Sequence, residues 1–194
     1  MKKLLALLVA LILALSCFAA FAEEEDEENY ETGDATLDNE LNQDDIGEKE
    51  LLVVSFGTSF NDSRRLTIGG IESAIAEAIP DYSVRRGFTA QIIIDHVERR
   101  DGIHIDNMTE ALDRAVANGV KTLVVQPTHL MHGFEYDDVV AELAERADDF
   151  EQIIVGEPLL TSDEDFDRVA DILIDLCDLE IDEFMAISLA SWDN

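Results

Sequence analysis

Basic residues are scarce in this chain: its 194 residues include 13 Lys and Arg against 44 Asp and Glu, a formal net charge of −31. Affinity for a nucleic-acid backbone comes mainly from Lys and Arg, so this composition excludes a nucleic-acid partner. From residue 51 onward the only lysine is Lys121. Such acidity is typical of a solubility or high-salt adaptation, and attraction of metal cations is the alternative.

Cysteine is nearly absent as well, since the chain contains only Cys17 and Cys177. If Cys17 is removed with the N-terminal segment described below, no intramolecular disulfide is possible, which excludes a disulfide-stabilised fold. Cys177 lies in the apolar stripe of a predicted helix, where we expect it to be buried as a small hydrophobic residue. Hydrophobic residues make up 47% of the chain, enough for the core of one domain and too many for a wholly disordered protein.

Long hydrophobic runs are missing except at the N-terminus. Lys2 and Lys3 precede an apolar run over residues 4–15, and small residues follow as far as Ala20-Phe21-Ala22. This layout predicts a signal peptide over residues 1–22 and export to the periplasm or the outside of the cell. A membrane anchor is the alternative, because the segment approaches the roughly 20 residues that span a bilayer. Lipidation at Cys17 is a weaker alternative.

Residues 23–50 carry 14 acidic side chains and one lysine and show no periodicity of apolar residues. This pattern predicts a disordered, solvated linker between the export signal and a folded domain. The domain itself is expected over residues 51–194.

From residue 51, apolar runs of strand length alternate with helical patterns. This alternation predicts an α/β domain with a doubly wound parallel sheet and crossover helices. The predicted strands are 51–56, 82–86, 122–126, 152–155 and 184–189. The predicted helices are 68–79, 90–100, 109–118, 139–147 and 167–176.

Ligands of open parallel sheets bind beyond the carboxyl ends of the strands, so the loops there are the candidate sites. The first predicted strand is followed by a polar loop that begins Ser55-Phe56-Gly57-Thr58-Ser59. No Gly-Lys-Ser or Gly-Lys-Thr follows, so the loop is not a P-loop. Its hydroxyls and backbone amides suit a carboxylate or a phosphate, and a well-capped turn is the alternative.

The loop after the third predicted strand contains His129, His132 and Glu135 within seven residues. These are metal-ligating or acid–base residue types, although the spacing matches no zinc signature. A capping or buried role is the alternative, with Glu135 starting the next helix. The other two histidines, His96 and His104, lie in or near a predicted helix and are expected at the surface.

Five segments stand in a characteristic order: LLVVSFGTSFNDSR, RRGFTAQIII, RRDGIHIDN, VVQPTHLMHGFEYDD and VGEPLL. Together they resemble the anaerobic sirohydrochlorin cobaltochelatase family of the CbiK type. The resemblance implies insertion of Co²⁺ into a sirohydrochlorin-type tetrapyrrole for cobalamin synthesis, in a cleft between two similar α/β domains. It implies no organic or nucleotide cofactor, with Co²⁺ as the substrate metal and Fe²⁺ possible by its ligand chemistry.

The resemblance also assigns residues. Glu135 matches an active-site glutamate of the family that faces the metal-insertion site, and His129 matches a histidine of the same motif. Both are therefore expected to be catalytic. The loop after the first strand is expected to line the floor of the cleft beneath the macrocycle, through Ser55, Phe56, Gly57, Thr58 and Ser59.

The sequence departs from the family pattern near its end. The family continues from the fifth strand into a Met-Gly-His-Gly turn and a second domain, whereas this chain reads Ala190-Ser191-Trp192-Asp193-Asn194. The expected metal ligands would lie beyond Asn194, so a fragment or a frameshift with impaired activity is expected. Two alternatives remain open: a one-domain chelatase that acts as a homodimer, and an exported, non-enzymatic binder of a tetrapyrrole or a metal.

Overall fold

The computed structural model describes residues 32–177, of which 33–177 belong to one compact unit. Four parallel strands form its sheet: β1 (Lys49–Ser55), β2 (Ser83–Phe88), β3 (Thr122–Pro127) and β4 (Gln152–Val155). The strand order is β2-β1-β3-β4. The chain therefore passes from β1 to β2 on one side, and then crosses back past β1 to reach β3 on its other side. This reversal of direction defines a switch point between β1 and β3, where open α/β sheets bind their ligands.

Five helices connect and cover the strands in the described part of the chain. Helix α1 consists of Asn61–Ser63, a π-helical segment Arg64–Ile68 and Gly69–Ala78. The others are α2 (Gln91–Asp101), α3 (Met108–Ala117), α4 (Phe134–Glu145) and α5 (Asp163–Cys177). Short 3₁₀ turns lie at Ala35–Leu37 and Ala147–Asp149. The predicted doubly wound α/β class is confirmed.

Strand β1 is buried on both faces, as expected of a central parallel strand. Leu52 and Val54 pack into the main core with residues of α3 and α4. Leu51 and Val53 point to the opposite face and pack with β2 and Ile75 of α1. Full burial of one such side chain contributes about 1.5–3 kcal/mol, so this strand anchors both layers.

Local signals account for most helix boundaries. The Asn107 side chain caps α3 by accepting a hydrogen bond from the Glu110 amide. In turn, the Glu110 carboxylate accepts a hydrogen bond from the Asn107 amide. Gly102 follows α2 and Gly119 follows α3, both at positive φ, which glycine adopts without steric cost. Helix α1 begins earlier than the apolar repeat from Ile68 predicts, because its first turns carry polar residues.

The prediction of a disordered linker over residues 23–50 is wrong for its described part. Residues 34–48 lie against the domain beside β2, the edge strand of the sheet. The Arg86 amide of β2 donates to the carbonyl of Leu41, and Gln43 donates to the carbonyl of Val84. The segment thereby satisfies polar groups of an edge that would otherwise be unpaired. Asp38 of the segment pairs with the buried Arg64 and Arg86. The charge pattern of the segment alone did not reveal these partners.

Several predictions fall on residues that the structure does not describe. These are the signal peptide over 1–22, the fifth strand over 184–189, the chain end and the side chain of Cys177. Among the described residues, no helix combines the length and the apolar character that a membrane span requires.

Candidate functional site

The loops after β1 and β3 lie side by side at the switch point. Ser55 Oγ at the end of β1 lies 2.8 Å from Thr128 Oγ1, the first residue after β3. The Thr128 amide also donates to the carbonyl of Val54 over 2.8 Å. Ser55 is only 2% exposed, so its hydroxyl links the two loops on their buried side. Both loops predicted as candidate sites are thus brought together at one edge of the sheet.

Gly57 gives the first loop its course. It has φ of +100°, and a Cβ added there would lie 2.5 Å from Cδ2 of Phe88. Glycine is therefore required both by the backbone conformation and by the close approach of the Phe88 ring. Phe56, one residue earlier, is 49% exposed.

The second loop is fixed from the side of β4. The carbonyls of His129 and Leu130 accept hydrogen bonds from the amides of Leu159 and Leu160, at 3.1 and 2.8 Å. His132 extends from the loop with its Nε2 3.1 Å from Glu157 Oε2. The backbone at His129 and Leu130 is thereby tied to the loop that follows β4, which limits the positions that the His129 ring can take.

The ring of His129 is unusual among the described residues. Its two nitrogens are both shielded from solvent and have no hydrogen-bond partner in the described structure. Burial lowers the pKa of this imidazole below its ordinary value, and the negative charge of Glu135 opposes that effect only in part. The imidazole is accordingly held neutral near pH 7, with a nitrogen lone pair that is engaged by no protein group.

Glu135 is exposed in the first turn of α4, a favourable place for a carboxylate because of the helix dipole. It borders a cavity of about 180 Å³ between α4 and the amino ends of α2 and α3. Asp138 and Glu142 line the same cavity from α4, and Thr89 lines it from the end of β2. The Thr89 hydroxyl is buried without a partner among the described groups. The carboxylate of Glu135 is therefore accessible and faces a polar recess.

Large apolar side chains on the same loops are exposed to solvent. Exposed fractions range from 49% for Phe56 and 53% for Leu130 and Met131 to 90% for Phe134. All four lie in the loops after β1 and β3 or at the start of α4. Apolar surfaces with a few polar groups are typical of small-molecule sites.

Two arginines, the buried Arg64 and the half-buried Arg100, hold the first loop and were missed in the sequence analysis. Arg64 donates to the carbonyl of Thr58 over 3.3 Å, and Arg100 donates to the carbonyl of Ser59 over 2.7 Å. Both also donate to Oδ1 of Asn61. The sequence offers one weak sign of the role of Arg64 and Arg100: polar residues interrupt the apolar spacing at the start of α1 and at the end of α2.

A second group of metal-ligating residue types lies away from this site. His104 Nε2 is 3.5 Å from Asp106 and 3.6 Å from Glu110. The Asp106 carboxylate already accepts hydrogen bonds from Arg85 and Arg114, and Glu110 caps α3. With two guanidiniums on its central carboxylate, this cluster is an ion-pair network and is a poor cation site. The ring of His104 is 41% exposed, in keeping with its predicted surface position.

Comparison with known proteins agrees with the resemblance. Residues 49–188 match the model of the family described as Cobalt chelatase (CbiK). A sirohydrochlorin cobaltochelatase of Salmonella typhimurium is 38% identical over 118 residues, which are 61% of this chain and 45% of that protein. The sirohydrochlorin cobaltochelatase CbiKC of Nitratidesulfovibrio vulgaris is 30% identical over 128 residues, 65% of this chain and 45% of that protein.

The chain thus spans about half the length of the curated relatives that it matches, with 45% of each covered. The family match includes all four described strands and both loops of the candidate site, and it begins at the first residue of β1. The residues before Lys49, including those that cover the edge of β2, lie outside the match. Because the matched region contains the whole described sheet, the chain belongs to the CbiK cobalt chelatase family.

Proposed function

We propose that this chain forms one side of the site of a sirohydrochlorin cobaltochelatase, where Co²⁺ enters a sirohydrochlorin-type tetrapyrrole and two pyrrole protons leave. The observation that carries the proposal is the meeting of the loops after β1 and β3 at the switch point of the sheet, through Ser55 and Thr128. His129 lies in the second of these loops, close enough to Glu135 at the start of α4 for that carboxylate to affect its pKa. The names of the two relatives supply the reaction. Fe²⁺ is the alternative metal, since both ions accept nitrogen and oxygen ligands.

Each residue has a role that follows from its surroundings. The exposed carboxylate of Glu135 is suited to accept a pyrrole proton or to hand over a hydrated cation. The neutral imidazole of His129 keeps a nitrogen lone pair that can serve as a metal ligand. Its lowered pKa makes it a weak proton acceptor. The apolar side chains of Phe56, Leu130 and Phe134 suit the face of a macrocycle. Thr58 and Ser59 offer polar groups to its carboxylates, while the buried Ser55 positions the two loops.

The first test is binding. The chain without residues 1–22 is titrated with sirohydrochlorin and followed by the absorbance change of the tetrapyrrole. We expect saturable binding that is weakened by Phe56→Ala and unchanged by Ile92→Ala, which removes an exposed apolar residue on α2 (79% exposed). Absence of saturable binding would remove the tetrapyrrole from the proposal.

The second test is metal insertion. Because the relatives are longer, the assay uses both the chain itself and a hybrid in which it is continued by the part of the Salmonella protein that follows the matched region. We expect Glu135→Gln to bind sirohydrochlorin and to melt at nearly the same temperature, but to insert Co²⁺ at least about tenfold more slowly, within the usual range for a general base. Asp138→Asn is the matched control, since it removes the same charge one helical turn further along the same cavity.

The outcomes separate the candidate functions. Binding without insertion in the hybrid would favour a non-enzymatic binder of the tetrapyrrole. Insertion by the chain itself at a concentration where sedimentation shows a dimer would favour a homo-oligomeric enzyme. An unchanged insertion rate in Glu135→Gln, with a lowered melting temperature, would reduce Glu135 to a helix-capping residue.

We also propose that the chain is exported, with cleavage after residue 22. The support is the basic start, the apolar run and the small residues before the acidic stretch. Mass spectrometry of a C-terminally tagged chain from a Gram-negative host should find a mature N-terminus at Glu23 in the periplasmic fraction. Recovery of the chain from the membrane with Met1 still present would favour an anchor instead.

A further inference from the structure

Arg64 is fully buried although it lies in the second turn of α1, directly after the first loop of the candidate site. Its side chain is 0% exposed. Its guanidinium donates to three partners: Thr58 O at 3.3 Å, Asn61 Oδ1 at 2.7 Å and Asp38 Oδ2 at 2.5 Å. Two of these partners belong to the loop and the start of α1. The third comes from the segment before β1.

The charge of Arg64 is balanced mainly within a group of four side chains: Arg64, Arg86, Asp38 and Glu72. Arg86 of β2, 1% exposed, forms ion pairs with Asp38 at 2.9 Å and with Glu72 of α1 at 2.6 Å. Two buried guanidiniums therefore face two carboxylates. Burial raises the pKa of the Asp38 carboxyl, but its bonds to Arg86 and Arg64 outweigh this effect and hold the pKa below its ordinary value. Asp38 is thus ionised at neutral pH, and together with Glu72 it balances the charges of the two arginines.

A second arginine completes the support of the loop. Arg100 at the end of α2 donates to Ser59 O and shares Asn61 Oδ1 with Arg64. Two successive peptide carbonyls therefore accept hydrogen bonds from guanidiniums: that of Thr58 from Arg64 and that of Ser59 from Arg100. Because a trans peptide unit is planar, the N–H group of Ser59 points away from Arg64. The hydrogen bond from Arg64 to the Thr58 carbonyl therefore sets the direction in which the Ser59 N–H group points.

We infer that Arg64 is a positioning residue for the Thr58–Ser59 loop and that Asp38, from the segment before β1, keeps it in place. Asp38 lies outside the region that matches the family, which begins at residue 49. The acidic segment therefore acts at the site from outside the region that matches the family. The effect on ligand binding rests on the proposed function, whereas the effect on the loop does not.

The variants that test this are Arg64→Lys and Asp38→Asn. Lysine keeps the positive charge but lacks the planar guanidinium, which donates to Asp38, Asn61 and the Thr58 carbonyl at the same time. The matched controls are Arg65→Lys and Asp44→Asn. The Arg65 side chain is 34% exposed and pairs with the exposed Asp62. Asp44 lies in the same acidic segment but pairs with Arg114 on the surface.

The first readout is amide hydrogen exchange. We expect exchange in the peptide covering residues 56–62 to rise at least about tenfold in Arg64→Lys and Asp38→Asn, while peptides of β1 and β3 change much less, as for a local opening. Both controls should leave this loop unchanged. Unchanged loop exchange, or an equal rise in the loop and in β1 and β3, would overturn the inference, because the network would then only stabilise the fold. If Arg64→Lys does not fold, Asp38→Asn decides.

The second readout is sirohydrochlorin affinity, measured well below the melting temperature. Both test variants should bind at least about fivefold more weakly than the unmodified chain, a loss typical of positional coupling, and the controls should bind equally well. Faster loop exchange with unchanged affinity would contradict the positioning role. If the unmodified chain does not bind at all, the proposed function fails while the exchange measurement still decides whether Arg64 positions the loop.

Discussion

Gly57 lies against the ring of Phe88, so closely that an added Cβ would come within 2.5 Å of Cδ2 of that ring. Phe88 ends β2 and is fully buried in a core cluster with Ile94, Val97 and Ile105. The ring cannot move aside without disturbing this cluster. The contact thus links the first loop of the site to the packing beneath α2.

Gly57→Ala should therefore reduce the free energy of unfolding by about 1–3 kcal/mol from the strained φ alone, and by more because of the clash. Gly70→Ala is the control, since Gly70 lies in α1 with nothing within 4 Å of the added Cβ. That substitution should stabilise the protein by about 0.5–1 kcal/mol. Urea denaturation measures both, and a neutral Gly57→Ala would show that the loop does not need its present course.

The hydrogen bond between Ser55 and Thr128 should appear as a coupling between the two loops. In a double-mutant cycle of Ser55→Ala and Thr128→Val, we expect a coupling free energy of about 0.5–1.5 kcal/mol, the usual net value of a buried neutral hydrogen bond. Urea denaturation of the four proteins gives the value. Additive losses would mean that the hydroxyls act independently.

His129 should make stability depend on pH in a defined direction. Its pKa in the folded protein lies below the ordinary value of 6.5, so the unfolded chain binds the proton more readily. Stability is therefore lost as the pH falls below about 6.5 and continues to fall until the folded pKa is passed. His129→Gln should flatten the curve in this window. His132→Gln, which removes an exposed imidazole from the same loop, is the control, and equal flattening by both would contradict the assignment.

Glu50 should have a pH effect of the opposite sign. Burial raises the pKa of this fully buried carboxyl above 4.5, although Arg85 lies 2.8 Å away and opposes the shift. The folded state holds the proton more tightly, so the contribution of Glu50 to stability decreases as the pH rises from 4.5 through the folded pKa. Glu50→Gln should reduce this decrease, measured by urea unfolding from about pH 5 to about pH 8. A steeper decrease would show that the pairing with Arg85 dominates the burial.

Much of the fold could be predicted because its signals are local. The apolar run of β1 and the glycine after α3 act within a few residues, and the four described strands fall within two residues of their predicted bounds. Both loops of the candidate site were found for the same reason, since a parallel sheet places its binding loops at the ends of strands. Their direct contact through Ser55 and Thr128 was beyond such reasoning, because 73 residues separate the two hydroxyls.

The sequence by itself determined the α/β class, the order of its elements and the family of the chain. Only the tertiary structure decided that the acidic segment before β1 is part of the domain. Asp38 meets Arg64 and Arg86, which lie 26 and 48 residues away, so no local window contains both charges. In isolation each residue is a solvated ion. A buried charge is stable only beside its counter-ion, and that proximity exists only once the sheet has brought α1, β2 and the N-terminal segment together.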